Sequence, residues 1–169
     1  MNESIKYTGK VTIKIKNKPP VKTRNSGTAA LFNVLCNVLS NAFSGSDSIA
    51  HSYLPCYMSI ISGTRIDENT DYLKVKDYSL ITEPLPIASR EVDSTSNSVT
   101  LSALLVYSVI KTGAIKGLSE GSTCTVVLLD GRNTILAHSD FQFSSIQEVC
   151  ENPNIQAAID WQMSFSNKE

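Results

Sequence analysis

His51 and His138 are the two histidines of the chain, and His138 stands in the run His138-Ser139-Asp140, which holds the three residue types of an acyl-transfer triad. A strand sends adjacent side chains to opposite faces, so three such residues in a row do not converge on one reacting atom. Asp67, Glu68 and Asp71 supply carboxylates for a cation, but they lack the regular spacing and the glycine of a calcium loop. They read as a solvated acidic loop. The glycines stand singly, without the cluster that cradles a phosphate, and no zinc spacing occurs. Cys36, Cys56, Cys124 and Cys150 are scattered, with no CxxC pair. They are expected to be free thiols acting as small core residues. The residues therefore predict no catalytic site, no metal and no cofactor, and hence no enzyme.

Charge is more informative. The formal net charge is −1, yet seven of the fifteen basic residues (Lys6, Lys10, Lys14, Lys16, Lys18, Lys22 and Arg24) precede residue 25, opposed only by Glu3. Residues 5–16 alternate strictly, with Ile5, Tyr7, Gly9, Val11, Ile13 and Ile15 on one face. Lys6, Thr8, Lys10, Thr12, Lys14 and Lys16 take the other. This is a half-buried strand, and its place near the start of the chain suits a sheet edge, where lysines discourage stray pairing. A nucleic-acid surface would interleave stacking aromatics with the cations. Tyr7 lies on the opposite face, which argues against nucleic acid. Lys6, Lys10, Lys14 and Lys16 form either a plain solvated strand face or a contact with an acidic surface of another subunit; for the contact reading, the loop 65–76 and the termini are further candidates.

The elements around this strand follow from periodicity. Asn17-Lys18-Pro19-Pro20 ends it. Leu31, Val34, Leu35, Val38 and Leu39 recur at helical spacing, which predicts one main helix over about 28–43, capped by Ser26 or Thr28 and ended near Gly45. Tyr53–Ser62 reads as a strand, Arg65–Lys76 as a surface loop, and Lys76–Ala88 as extended and irregular. Arg90–Asn97 reads as a turn region, Ser98–Lys111 as a strand covered on both faces or, over Leu101–Ile110, as a helix, and Gly113–Gly121 as a short strand or turn. Thr123–Leu129 and Asn133–His138 flank Asp130-Gly131, the signature of a hairpin. Ser145-Ile-Gln-Glu148 reads as a capping box. In Ile155–Phe165 the apolar residues alternate again and carry the only Trp, Trp161, toward the core.

With 169 residues, 18% charged and rich in Ser, Thr and Asn, the chain fits one β-rich domain over 1–169. The expected architecture is an antiparallel β-sandwich with the 28–43 helix packed on it. Residues 1–24 form a basic strand or arm available for assembly. No apolar run has transmembrane length and no secretory leader is seen, so a soluble protein made in a cytoplasm is expected.

The layout resembles small virion structural proteins of tailed bacteriophages, including the short-tailed, crAss-like group. The residues that carry the resemblance are Gly9–Lys16 (GKVTIKIK), then Asn25-Ser-Gly-Thr28 with Leu31-Phe32 opening a helix. The Pro55–Ile61 strand and the closing run Ile159–Phe165 complete it. The resemblance implies a non-enzymatic structural component of a capsid, head–tail connector or tail, made in a host bacterium and located in the virion. Its partners would be itself, as a homo-oligomer, and neighbouring virion proteins, with no membrane involved. The alternative from another class is a β-sandwich that binds a carbohydrate or other ligand on a host surface. For that reading Tyr53, Tyr57, Tyr72 and Tyr78 are the candidate contact aromatics.

Overall fold

The alternating run 5–16 folds as a strand, β1 (Ile5–Ile15), in a computed structural model that describes residues 5–34, 54–63, 66–67 and 69–167, the side chains of 5, 76–79 and 167 excepted. Residues 35–43 of the expected helix, with Cys36, Gly45, His51, Tyr53, Arg65 and Glu68, lie outside the described residues. The remaining strands are β2 (Val21–Gly27), β3 (Pro55–Ser62), β4 (Leu85–Asp93), β5 (Ser98–Val106), β6 (Thr123–Asp130), β7 (Ile135–Gln142) and β8 (Gln156–Asn167). Three short helices are α1 (Tyr72–Ser79), α2 (Thr112–Ile115) and α3 (Gln147–Glu151).

All the strand pairs are antiparallel, and the expected sandwich is instead a closed barrel in the order β1-β2-β7-β6-β3-β4-β5-β8. Two strands turn the corners. β2 pairs with β1 through Val21–Asn25 and then with β7 through Ser26 and Gly27. β4 pairs with β3 at Leu85 and Pro86 and with β5 from Ile87 to Asp93, with a bulge between Ile87 and Ser89. The seam between β1 and β8 runs from Ile5↔Asn167 to Ile15↔Ala157. β1 is therefore not an edge strand, because it has a hydrogen-bonded neighbour on each side. Each hairpin turn holds an asparagine at positive φ: Asn17 (66°), Asn97 (48°) and Asn133 (63°). Asparagine is among the few side chains that tolerate that region.

The barrel interior is a packed core. Met58, Ile60, Leu105, Val126, Leu128, Ile159 and Trp161 are fully buried in it. A helical segment, 29–34, puts Leu31 over one end, near Tyr7 and Phe165. Thr28 begins this segment, its hydroxyl donating to the carbonyls of Ile135 (2.7 Å) and Leu136 (3.0 Å). Phe143, Ile146, Val149 and Cys150, in and before α3, join the core at the other end. No side chain caps α3, so the Ser145–Glu148 capping box does not form. Outside the barrel, α1 lays Tyr72 and Val75 on Ile61, Val127, Leu129 and Ile135, a second and smaller core. Asp71 caps α1 by accepting from Leu73 N (3.0 Å), so part of the expected 65–76 loop is helix.

The interior is not wholly apolar. In the orientation that satisfies both ends of its amide, the Asn25 oxygen accepts from Trp161 Nε1 (2.6 Å) and Lys10 N (3.1 Å), and its nitrogen donates to the Tyr7 hydroxyl (2.6 Å). Gly9 lies against this amide: a Cβ there would sit 1.6 Å from the amide nitrogen that donates to Tyr7. Pairing the indole N–H is what permits Trp161 to be wholly buried.

Cys124 and Cys150 are buried thiols of the core. Burial pushes Cys124 from 9.0 up to about 11. Burial, with the Cys124 and Glu151 charges added, pushes Cys150 up to about 12. Both are protonated at neutral pH, so a thiol reagent at pH 8 should leave them unmodified in the native protein and label them in guanidinium, as site-resolved mass spectrometry would read. Because the folded values are raised, the stability that these thiols lend is complete below 9.0 and is lost as pH climbs through about 11 and 12.

Candidate functional site

Closing the barrel sends the even-numbered residues of β1 outward and pairs them with two neighbours. Lys10 lies opposite Arg24 on β2 and Gln162 on β8, while Thr12 lies opposite Lys22 and Thr8 opposite Ser164. The result is an open groove of about 660 Å³ on the barrel wall, whose cations are Lys6, Lys10, Lys22 and Arg24 and whose polar lining includes Thr8 and Gln162. Lys6, Lys10, Lys22 and Arg24 are exposed, and among the described residues none of them forms an ion pair. The groove therefore presents unneutralised cations beside hydroxyl and amide groups, a chemistry that fits carboxylates or other anions.

The four lysines expected in a row part company here. Lys6 and Lys10 line the groove. Lys14 is ion-paired to Asp160, which also accepts from Ser102 Oγ (2.7 Å). Lys16 follows the last residue of β1 and stands exposed in the turn. Lys22 and Arg24 take their places. They lay in the basic segment, but only the pairing of β2 with β1 brings them beside Lys6 and Lys10.

Lys10 and Arg24 face each other directly, which is unfavourable for a strand pair. Arg24→Glu turns this into an opposite-charge pair and should raise fold stability by about 0.2–1 kcal/mol, read from the denaturation midpoint, while it weakens anion binding in the groove. A stabilising change that damages the surface would mean that the like-charge pair is kept for contact with something else.

The other candidate residues do not converge. Ser139 is buried, donates to the Arg24 carbonyl (2.8 Å) and is bonded to the Thr23 hydroxyl (2.5 Å). His138 pairs with Ser26 across the strands, and Asp140 accepts from the Thr125 hydroxyl (2.7 Å). Asp67 accepts from Asn69 N (2.8 Å), and Asp71 caps α1. Among the described residues no group of three or more His, Cys, Asp and Glu side chains could hold a metal ion.

Along β1 and β8 the polarity is the reverse of that in a membrane-spanning strand, which turns apolar side chains outward. Here the apolar positions of β1 and β8 point in and the lysines point out. Among the described residues no helix is long and apolar enough to cross a membrane. No family model, no curated protein and no solved structure matches the chain.

Proposed function

We propose that this chain is a non-enzymatic structural subunit of a tailed-phage virion, in the capsid, the head–tail connector or the tail, and that it works in many copies. The observation that carries the assembly part is the wall groove, in which four cations lie together without an acidic neighbour among the described residues. The resemblance of Gly9–Lys16 and Ile159–Phe165 to small phage virion proteins supports the setting. The closed ring alters the mechanism. With no free edge in the barrel, subunits dock by wall side chains rather than by adding a strand.

The glycan-binding alternative draws less support. The groove lining contains no aromatic side chain, and of the candidate tyrosines Tyr72 is buried with its hydroxyl donating to Ser59 Oγ (3.0 Å), while Tyr57 is exposed on β3, outside the groove.

The test is the solution mass of the purified chain across a salt series. A discrete oligomer should appear at low salt and dissociate as the screening length shrinks from about 10 Å at 0.1 M to about 3 Å at 1 M. A monomer under all conditions sinks self-assembly. Peptides of the chain should also appear in density-purified particles from cultures that carry its gene, and their absence would sink the virion setting.

A further inference from the structure

A second charged surface lies at one end of the barrel, away from the groove. There Glu120, just before β6, and Glu148 and Glu151 on α3 surround a cleft of about 480 Å³ together with Lys18 from the β1–β2 turn. Lys18 is occupied: its ammonium pairs with Glu148. Glu120 and Glu151 are exposed, and Glu151 accepts a hydrogen bond from Gln147 Nε2 (2.8 Å) within its own helix. The surface therefore presents excess negative charge.

The topology sets these two surfaces apart. Lys6 is the second residue of β1, beside the end over which Leu31 packs, and Lys10 is mid-strand. Lys18 lies beyond the far end of β1. At about 3.3 Å per residue, Lys6 lies roughly 30 Å from the end of β1, Lys10 and its neighbour Arg24 roughly 17 Å, and Lys22, opposite Thr12, roughly 10 Å. Screening at physiological salt acts over about 8 Å, so the acidic end does not neutralise Lys6, Lys10 and Arg24 within one copy. The barrel is thus polar along its axis, basic on the wall toward one end and acidic at the other.

We propose that the basic groove of one copy takes the acidic α3 end of a second copy, so that copies join head to tail. The inference rests on the multi-copy reading above and names the partner as this chain itself. Charge complementarity selects the arrangement. A twofold contact through either surface would set like charges against like, whereas groove against end sets Lys6, Lys10, Lys22 and Arg24 against Glu120, Glu148 and Glu151. An open array then keeps one unfilled groove at one terminus and one unfilled acidic end at the other. Such a heterologous contact closes into a ring or extends as a filament.

A triple and a double variant test this in the full chain. Lys6→Glu, Lys10→Glu and Arg24→Glu together make the groove acidic, with Lys22 its one remaining cation, and Glu120→Lys with Glu151→Lys makes the end basic. Both leave the Lys18–Glu148 pair intact, and thermal melting checks that each is folded. Each variant alone should lose self-association by about 100-fold, because both of its surfaces carry the same sign. An equimolar mixture should recover it, since the acidic groove of one meets the basic end of the other. Sedimentation of the variants alone and mixed reads both effects. If the wild type associates and the folded variants associate equally well, the head-to-tail contact is wrong while the multi-copy reading stands. Loss in the groove variant alone, with no rescue on mixing, overturns the contact as well. A wild type that stays monomeric overturns both.

Discussion

Trp161→Ala should cost the fold about 3–5 kcal/mol, read from guanidinium or thermal unfolding. The side chain is fully buried in the barrel, so truncation leaves a cavity and removes a donor from the Asn25 oxygen. Since most domains are stable by only about 5–15 kcal/mol, the variant stands at the edge of folding. Trp161→Phe separates the two parts of the loss. It keeps most of the ring volume but removes the N–H, and should cost about 1–2 kcal/mol for the lost hydrogen bond with some packing loss beside it. If Trp161→Phe is as damaging as Trp161→Ala, the indole N–H matters more than the volume, contrary to this account.

Gly9→Ala should cost about 3 kcal/mol, a large effect for one methyl group. A Cβ at residue 9 would overlap all three polar-end atoms of Asn25: the amide nitrogen at 1.6 Å, Cγ at 2.2 Å and the amide oxygen at 2.3 Å. Because the obstruction is a side chain rather than backbone, Asn25 would be driven from its bonds to Trp161, Lys10 and Tyr7. The second half of the prediction is non-additivity. In an Asn25→Ala background the same Gly9→Ala change should cost about 1 kcal/mol or less, because the obstruction has gone. Equal costs in the two backgrounds would place the strain elsewhere in the strand pair.

The strands that could be read from the amino acids alone are those whose buried face is apolar. β1 and β8 alternate apolar and polar residues with period two, and the β6–β7 hairpin is bracketed by β-branched runs. β2 escaped the same reading because its half-buried positions are Val21, Thr23, Asn25 and Gly27, mostly polar or without a side chain. These polar groups are satisfied by residues far along the chain, Ser139 for Thr23 and Trp161 for Asn25, and local periodicity carries no trace of such partners. α1 was hidden for a related reason. Tyr72 and Val75 face a patch made from the outer sides of three strands, and that patch exists only once the barrel has formed.

The choice between sandwich and barrel turns on pairings rather than on patterns. Alternation says that a strand has an inner face, but the corner strands β2 and β4 divide their ladders between two neighbours, and this division closes the ring. The candidate site was partly legible for the same reason. Lys6 and Lys10 could be read from one strand, whereas Lys22 and Arg24 became neighbours only through the register Lys10↔Arg24 and Thr12↔Lys22. The prolines 19 and 20 between two charged runs were the available sign of a hairpin.

The seam between β1 and β8 has a consequence in time. Of the barrel strands β1 is synthesised first and β8 last, and β8 is also the neighbour that β5 awaits. Until β8 emerges from the ribosome, the nascent chain holds two open ladders and an uncovered apolar interior, with Trp161 not yet present to fill it. Contacts this distant along the chain meet their loop-closure entropy late, so the ring folds slowly and essentially after synthesis of its last strand. During that interval many copies made together expose strand edges to one another, the condition under which β-rich chains misassemble.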